Sequence, residues 1–230
     1  MNLDSYVIEF FSSEWIRNTI LSILFIFSVL FIGKILSYKD RIVLAKTIAI
    51  LLIITTVTGH TRNILNGYWN ISDNLPLHLC GISNLIACFI LFFKKNKVVF
   101  EFFFYCGIIG GIQAFLTPQI NNFDGSIYEY IEYHFSHAGI ILLPIFMFCF
   151  LNYEVSKLSW LRAVLYLNLV LMIVMPLNFQ IGSNYMYLAE PPGVNNPLII
   201  GEWPYYIIYW EFIILIFTYT TYVISTRKTI

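Results

Sequence analysis

Hydrophobic residues fall along this chain in long unbroken runs. They show neither the three-and-four spacing of a surface helix nor the strict alternation of a half-exposed strand. Seven runs stand out, at about residues 19–36, 43–58, 77–93, 98–116, 135–151, 161–179 and 205–225. Residues that begin or end helices punctuate them: Gly59, Pro76 in a first turn, the Thr117-Pro118 pair and the Trp203-Pro204 pair. A helix needs about 20 apolar residues to cross the hydrocarbon core of a bilayer, so several runs are on the short side. In lipid the backbone must satisfy itself within a helix or around a closed barrel, and runs without alternation select helices. The pattern predicts an all-α, polytopic membrane protein with seven transmembrane helices, a single integral membrane domain over residues 1–230.

Composition agrees. Hydrophobic residues make up 59% of the chain and charged residues 11%, against about 25% charged in a soluble domain. Thirteen basic and thirteen acidic residues cancel, which removes the electrostatic footprint of a nucleic-acid binder. Membrane lipids are the expected partners, and nucleic acid is not. No cofactor is expected, and nothing in the pattern fixes an oligomeric state.

Charge position gives the orientation. Lys34, Lys39, Arg41, Lys46, Lys94, Lys95, Lys97, Lys157, Arg162, Arg227 and Lys228 assign to one set of helix ends, while Arg17 and Arg62 assign to the other. Cytoplasmic flanks collect Lys and Arg, so the N-terminus is expected outside and the C-terminus inside, in the cell membrane. The first run lacks a small-residue cleavage site followed by a polar mature region and reads as a retained span. Ahead of it, Leu3, Tyr6, Val7, Phe10, Phe11 and Trp15 recur at helical spacing with Asp4, Glu9 and Glu14 between them. That segment reads either as a helix lying in the outer interface or as a disordered start. Two outer loops are long, residues 119–132 and 180–203, the second carrying Pro191, Pro192, Gly193 and Pro197. Long loops beside short cytoplasmic ones place the expected site on the outer face. No internal repeat supports the inverted halves of a secondary transporter.

All four histidines, His60, His78, His134 and His137, fall at the outer helix ends, near Cys80, Gln113, Thr117, Asn184 and Tyr185. Polar residues also gather there simply because deeper burial is costly. Cys88, Cys106 and Cys149 lie well within apolar runs and read as packing residues. Cys80 differs. It follows Pro76 by about one turn, near the positive end of its helix, where negative charge is stabilised, and is a candidate nucleophile. His78 is two residues away and faces elsewhere on a helix, so the base is expected from another helix, with His137 at matching depth. Asn84, one turn past Cys80, would either donate to an oxyanion or join two helices. A competing chemistry is a zinc pair of His134 and His137 at i,i+3 spacing with Glu129 or Glu132 nearby, although no HExxH motif is present. Gly107, Gly110 and Gly111 read as helix packing, with Gly107 and Gly111 as a G-x-x-x-G pair. Glu211, inside the seventh run, is expected to snorkel or to pair with Arg62 or Gln113 unless it is functional.

Five separated motifs occur in order: Leu75-Pro76-Leu77-His78-Leu79-Cys80, Leu116-Thr117-Pro118, Ser136-His137-Ala138-Gly139, Asn184-Tyr185-Met186-Tyr187-Leu188 with the prolines after it, and Gly201-Glu202-Trp203-Pro204-Tyr205-Tyr206. Together they resemble the YwaF-like family of bacterial membrane proteins, itself similar to the transmembrane protein 164 family, over nearly the whole chain. The resemblance implies a seven-helix membrane fold. It also implies acyl transfer to lysophospholipids through an acyl-cysteine intermediate, the cysteine falling on Cys80 in the His-x-Cys motif and the histidine on His137.

The expectation is a membrane-embedded lipid acyltransferase, or a lipase-like hydrolase, acting at the outer leaflet. His78, Asn84, His134, Asn184 and Tyr185 are the supporting positions. The alternatives are a non-catalytic membrane receptor or carrier for a lipid or small solute, and a His-metal-dependent membrane hydrolase.

Overall fold

The computed structural model describes residues 5–193 and 198–227; Leu3, Asp4, Pro197 and Lys228, singled out above, lie outside them. Among the described residues seven α-helices follow in order: α1 Ser13–Ile35, α2 Tyr38–Leu65, α3 Leu79–Phe89, α4 Lys97–Leu116, α5 Ile127–Phe150, α6 Ser159–Ile181 and α7 Tyr205–Arg227. Six are long and apolar enough to cross a membrane. The seventh, α3, has 11 residues and rises about 16 Å, roughly half a hydrocarbon core. The third run is therefore helical only in its middle: His78 caps it in an extended conformation, and the chain turns after Ile90 toward Asn96, which caps α4 through the Val98 and Val99 amides.

Two helix boundaries differ from the hydropathy pattern for local reasons. α2 runs through Gly59 to Leu65, since one glycine costs a helix only about 1 kcal/mol and Arg62 in its last turn pairs with Asp124 at 2.6 Å. α5 begins at Ile127, eight residues before the apolar run. The Ser126 hydroxyl accepts from the Glu129 amide at 3.2 Å, and the Glu129 carboxylate accepts from the Asp124 amide at 2.8 Å, a close variant of the capping box. The N-terminal segment is neither an interfacial helix nor a disordered start where it is described. Tyr6–Val7 forms strand β1, antiparallel to β2, Gln119–Ile120, with Tyr6 opposite Ile120, and helix begins only after the Ser12 cap.

α4 and α5 form the centre. α1 and α2 pack on α5, α3 packs on both central helices, and α6 joins α4 to α7. The glycines of α4 set these approaches. A Cβ on Gly107 would stand 2.7 Å from the carbonyl oxygen of Ile140, and one on Gly111 would stand 2.9 Å from that of His137. Both glycines thus face α5, at the spacing the G-x-x-x-G pair predicts. Pro144 inside α5 has no N–H, so the Ile140 carbonyl lacks its donor four residues on and lies against Gly107 instead. Gly110 faces α3, where a Cβ would stand 3.5 Å from the Cys80 amide nitrogen. The same few residues of α4 therefore draw Cys80 and His137 toward one level from two sides.

At one end of the bundle basic side chains meet helix carbonyls or a buried carboxylate. Arg41 donates to the Gly33 carbonyl at 2.7 Å, Lys95 to the Asn152 carbonyl, and Arg162 pairs with the buried Glu101 at 2.6 Å. Cations complement the negative end of a helix dipole. At the opposite end Arg62 meets Asp124, and Arg17 meets the Tyr130 hydroxyl at 2.9 Å.

Candidate functional site

At one end of the bundle, between α3, α4, α5, α6 and α7, lies a cavity of about 320 Å³. Cys80 and His137 both line it. So do His78, Gln113, Glu132, Tyr133, Tyr187 and Glu211, with apolar walls from Leu167, Leu171, Ile207 and Ile214.

His137 is held on three sides. Its Nδ1 lies 2.6 Å from the Tyr133 carbonyl, and since a carbonyl only accepts, that nitrogen carries the proton and Nε2 keeps a free lone pair. Its ring packs on the Tyr133 ring at 4.3 Å between centroids. Its own carbonyl abuts Gly111. Tyr133 is anchored in turn: its hydroxyl donates to the Ala114 carbonyl at 3.0 Å and accepts from the Gln119 amide at 3.3 Å.

His78 has the other tautomer. Its Nδ1 accepts from the Met186 amide at 3.2 Å, which leaves the proton on Nε2 as a donor. Its ring sits against Tyr185 and Tyr187. One residue later the chain enters α3, so Cys80 stands in the first turn, half-buried, with a free thiol.

Asn184 and Tyr185 shape this wall without lining it. The Asn184 amide oxygen accepts from Ala189 and Glu190 and its nitrogen donates to the Glu190 carbonyl at 2.9 Å, closing the loop on itself. Tyr185 is buried, and its hydroxyl accepts from the Leu75 amide and donates to the Ile71 carbonyl, both at 2.8 Å. It ties the turn at Tyr185–Tyr187 to the segment that delivers His78 and Cys80. Tyr187, next along, faces the cavity. Burial, and then the charge of a Cys80 thiolate, push its phenol up to about 12, so it stays a hydrogen-bond donor at neutral pH.

Two expected supporting positions lie elsewhere. Asn84 donates to the Thr56 hydroxyl at 2.8 Å, joining α3 to α2, and is not part of the cavity wall. His134 bonds the Tyr130 carbonyl at 2.8 Å and is likewise outside the wall. Among the described residues no cluster of three or more His, Cys, Asp or Glu is arranged to hold a metal. His60 accepts from the Trp69 indole at 3.0 Å. Glu211 pairs with neither Arg62 nor Gln113; its carboxylate accepts from the Asn168 side chain at 2.8 Å. Sequence reasoning missed Tyr133, carried Tyr187 only as part of a motif, and read Glu132 only as a neighbour of a metal pair. The one available signal was spacing, since Tyr133 lies one helical turn before His137.

The sequence model of the TMEM164 family matches residues 10–222. The chain belongs to the TMEM164 family. All five motifs and every cavity residue fall inside the matched stretch. The chain is thus a multi-pass membrane protein of this family. No curated protein and no solved structure matches it.

Proposed function

We propose that this protein is a lipid acyltransferase of the cell membrane, one integral domain in which Cys80 is the nucleophile and His137 the general base. The observation that supports this reading is the shared cavity, into which a half-buried thiol and an imidazole with a free Nε2 lone pair both open. The His137 tautomer is the one a base requires, fixed by the Tyr133 carbonyl. A thiol in the first turn of a helix also gains from the helix dipole when its proton leaves.

In the proposed cycle His137 Nε2 takes the Sγ proton as the sulfur bonds to the carbonyl carbon of a lipid ester. The tetrahedral intermediate collapses, the ester C–O bond breaks, and the imidazolium returns the proton to the departing alkoxide. An acceptor alcohol then gives its proton to Nε2 and attacks the thioester carbon. The C–S bond breaks and the thiolate recovers the proton. Two side-chain donors of the cavity wall, the Nε2–H of His78 and the Tyr187 hydroxyl, would serve the developing oxyanion. Glu132 and Glu211 give the wall two carboxylates and no Lys or Arg, a setting suited to a neutral or cationic polar group.

The test is acyl exchange between phospholipid and lysophospholipid by purified protein in liposomes. Cys80→Ala is expected to abolish it, while Cys88→Ala, a fully buried position on the same helix, retains it. Loss of a nucleophile costs orders of magnitude in rate, whereas removing one sulfur at the half-buried Cys80 costs about 1 kcal/mol of packing. Equal exchange by wild type and Cys80→Ala would make the cavity a binding site for a lipid or solute and not a catalytic one.

A further inference from the structure

A second cavity of about 230 Å³ adjoins the first. It lies between the outer halves of α4 and α7, lined by Ile109, Ile112, Leu116, Ile213 and Phe217, with Gln113, Trp210 and Ile214 common to both cavities. Its lining is almost wholly apolar apart from Gln113. Ile112 and Leu116 are 37% and 40% exposed on the outer surface of the bundle, where a membrane-spanning helix meets hydrocarbon. From Ile109 to Leu116 and from Trp210 to Phe217 the groove runs about 10 Å along the helices.

We infer that this groove holds one hydrocarbon chain of a bilayer lipid, reaching the Cys80 cavity sideways from the outer leaflet across the Gln113–Trp210 threshold. The inference rests on the acyl-transfer reading and adds to it the route and seat of the chain. Three features select this occupant. The groove faces lipid, so the surrounding solvent is itself hydrocarbon. It shares the Gln113, Trp210 and Ile214 wall with a cavity that carries polar groups, matching a molecule apolar along one part and polar at one end. Its threshold is firmly built: the Trp210 indole donates to the Leu198 carbonyl at 2.8 Å and its ring packs on Tyr206 at 5.0 Å. Tyr206 is buried and donates to the Tyr187 carbonyl. The threshold and the cavity wall are therefore one connected unit, and the groove ends where the polar site begins.

Ile213→Trp would fill the groove, and Ile216→Trp, on the lipid-facing side of the same helix at 67% exposure, is the control. The assay uses full-length protein in phosphatidylcholine liposomes with three readouts. Acylation of Cys80 by long-chain phospholipid is expected to fall roughly tenfold or more in Ile213→Trp and to stay near wild type in Ile216→Trp. Labelling of Cys80 by a small water-soluble thiol reagent is expected to be unchanged in both, which excludes a collapsed fold. A phospholipid with a photoreactive tail is expected to crosslink to Ile112, Ile213 and Phe217 more densely than to the exposed Leu24 and Phe27 of α1, and to lose that excess in Ile213→Trp. Equal long-chain acylation in the two variants, with soluble labelling intact, would overturn the inference. Should wild-type Cys80 take no acyl group at all, the acyl-transfer reading falls by itself, and the crosslinking then decides the groove: no excess there overturns it, and an excess lost in Ile213→Trp upholds a seated chain.

Discussion

Gly107→Ala perturbs the approach of α4 to α5 at a point where neither helix can yield by rotating a side chain. The added Cβ would stand 2.7 Å from the Ile140 carbonyl oxygen and 3.0 Å from the Phe103 ring. Ordinary carbon–oxygen contact begins near about 3.3 Å, so roughly 0.6 Å must come from separating two buried backbones. Overpacking of this kind costs about 1–3 kcal/mol. Alanine returns about 1 kcal/mol through helix propensity. Gly59→Ala makes that propensity gain alone, since the nearest atom to its Cβ is the Tyr128 hydroxyl at 3.8 Å. The difference between the two variants cancels propensity and isolates packing at about 1–3 kcal/mol. Unfolding in mixed micelles, titrated with a denaturing detergent, measures it. Gly107→Ala is expected to unfold earlier than wild type and Gly59→Ala later. His137 lies one turn before Ile140 on α5, so exchange activity is expected to fall in Gly107→Ala even below its unfolding range. Equal shifts for the two variants would refute the close-approach argument.

Tyr185→Phe leaves the Leu75 amide and the Ile71 carbonyl unpaired, so a loss of about 1–3 kcal/mol is expected, with exchange reduced through the displaced His78 segment; activity unchanged from wild type would separate that loop from the site. Burial alone would raise the Asp124 carboxyl, but the Ser126 hydroxyl and amide and the Arg62 guanidinium hold it below the ordinary carboxylate value. A depressed folded value means stability that is complete above the unfolded value of about 3.9 and is lost as pH falls through the folded one. Asp124→Asn should flatten that acid limb of a stability–pH curve, and an unchanged limb would assign it to other carboxylates. Added cysteines should react with an impermeant reagent from outside at Asn66 and only after permeabilisation at Lys94, above the background of the parent chain; the reverse would invert the topology.

Helix existence was legible from hydropathy because each apolar run must satisfy its own backbone. Helix ends were not. They depend on partners distant in sequence, such as Arg62 with Asp124, or on polar caps such as Ser126, neither of which contributes to hydropathy. The short α3 reads as a full span in sequence because the residues flanking it are as apolar as those inside it. Cys80 and His137 could be placed at one level from helix ends alone, but the approach of α3 and α5 to α4 that sets both on one cavity lay in three glycines whose directions only the packed helices reveal. Asn184 and Tyr185 carried a pattern without a readable role, since their hydrogen bonds act on a segment more than 100 residues away.

The central claim is that Cys80 carries an acyl group. Mass spectrometry of the peptide containing Cys80, after acid quench of purified protein incubated with a defined phospholipid and no acceptor, measures it directly. The account predicts a thioester of the donor's acyl mass on Cys80, removed by hydroxylamine, discharged on adding lysophospholipid, and strongly diminished in His137→Gln. Acyl exchange that proceeds in the same preparation while the Cys80 thiol stays unmodified would contradict it.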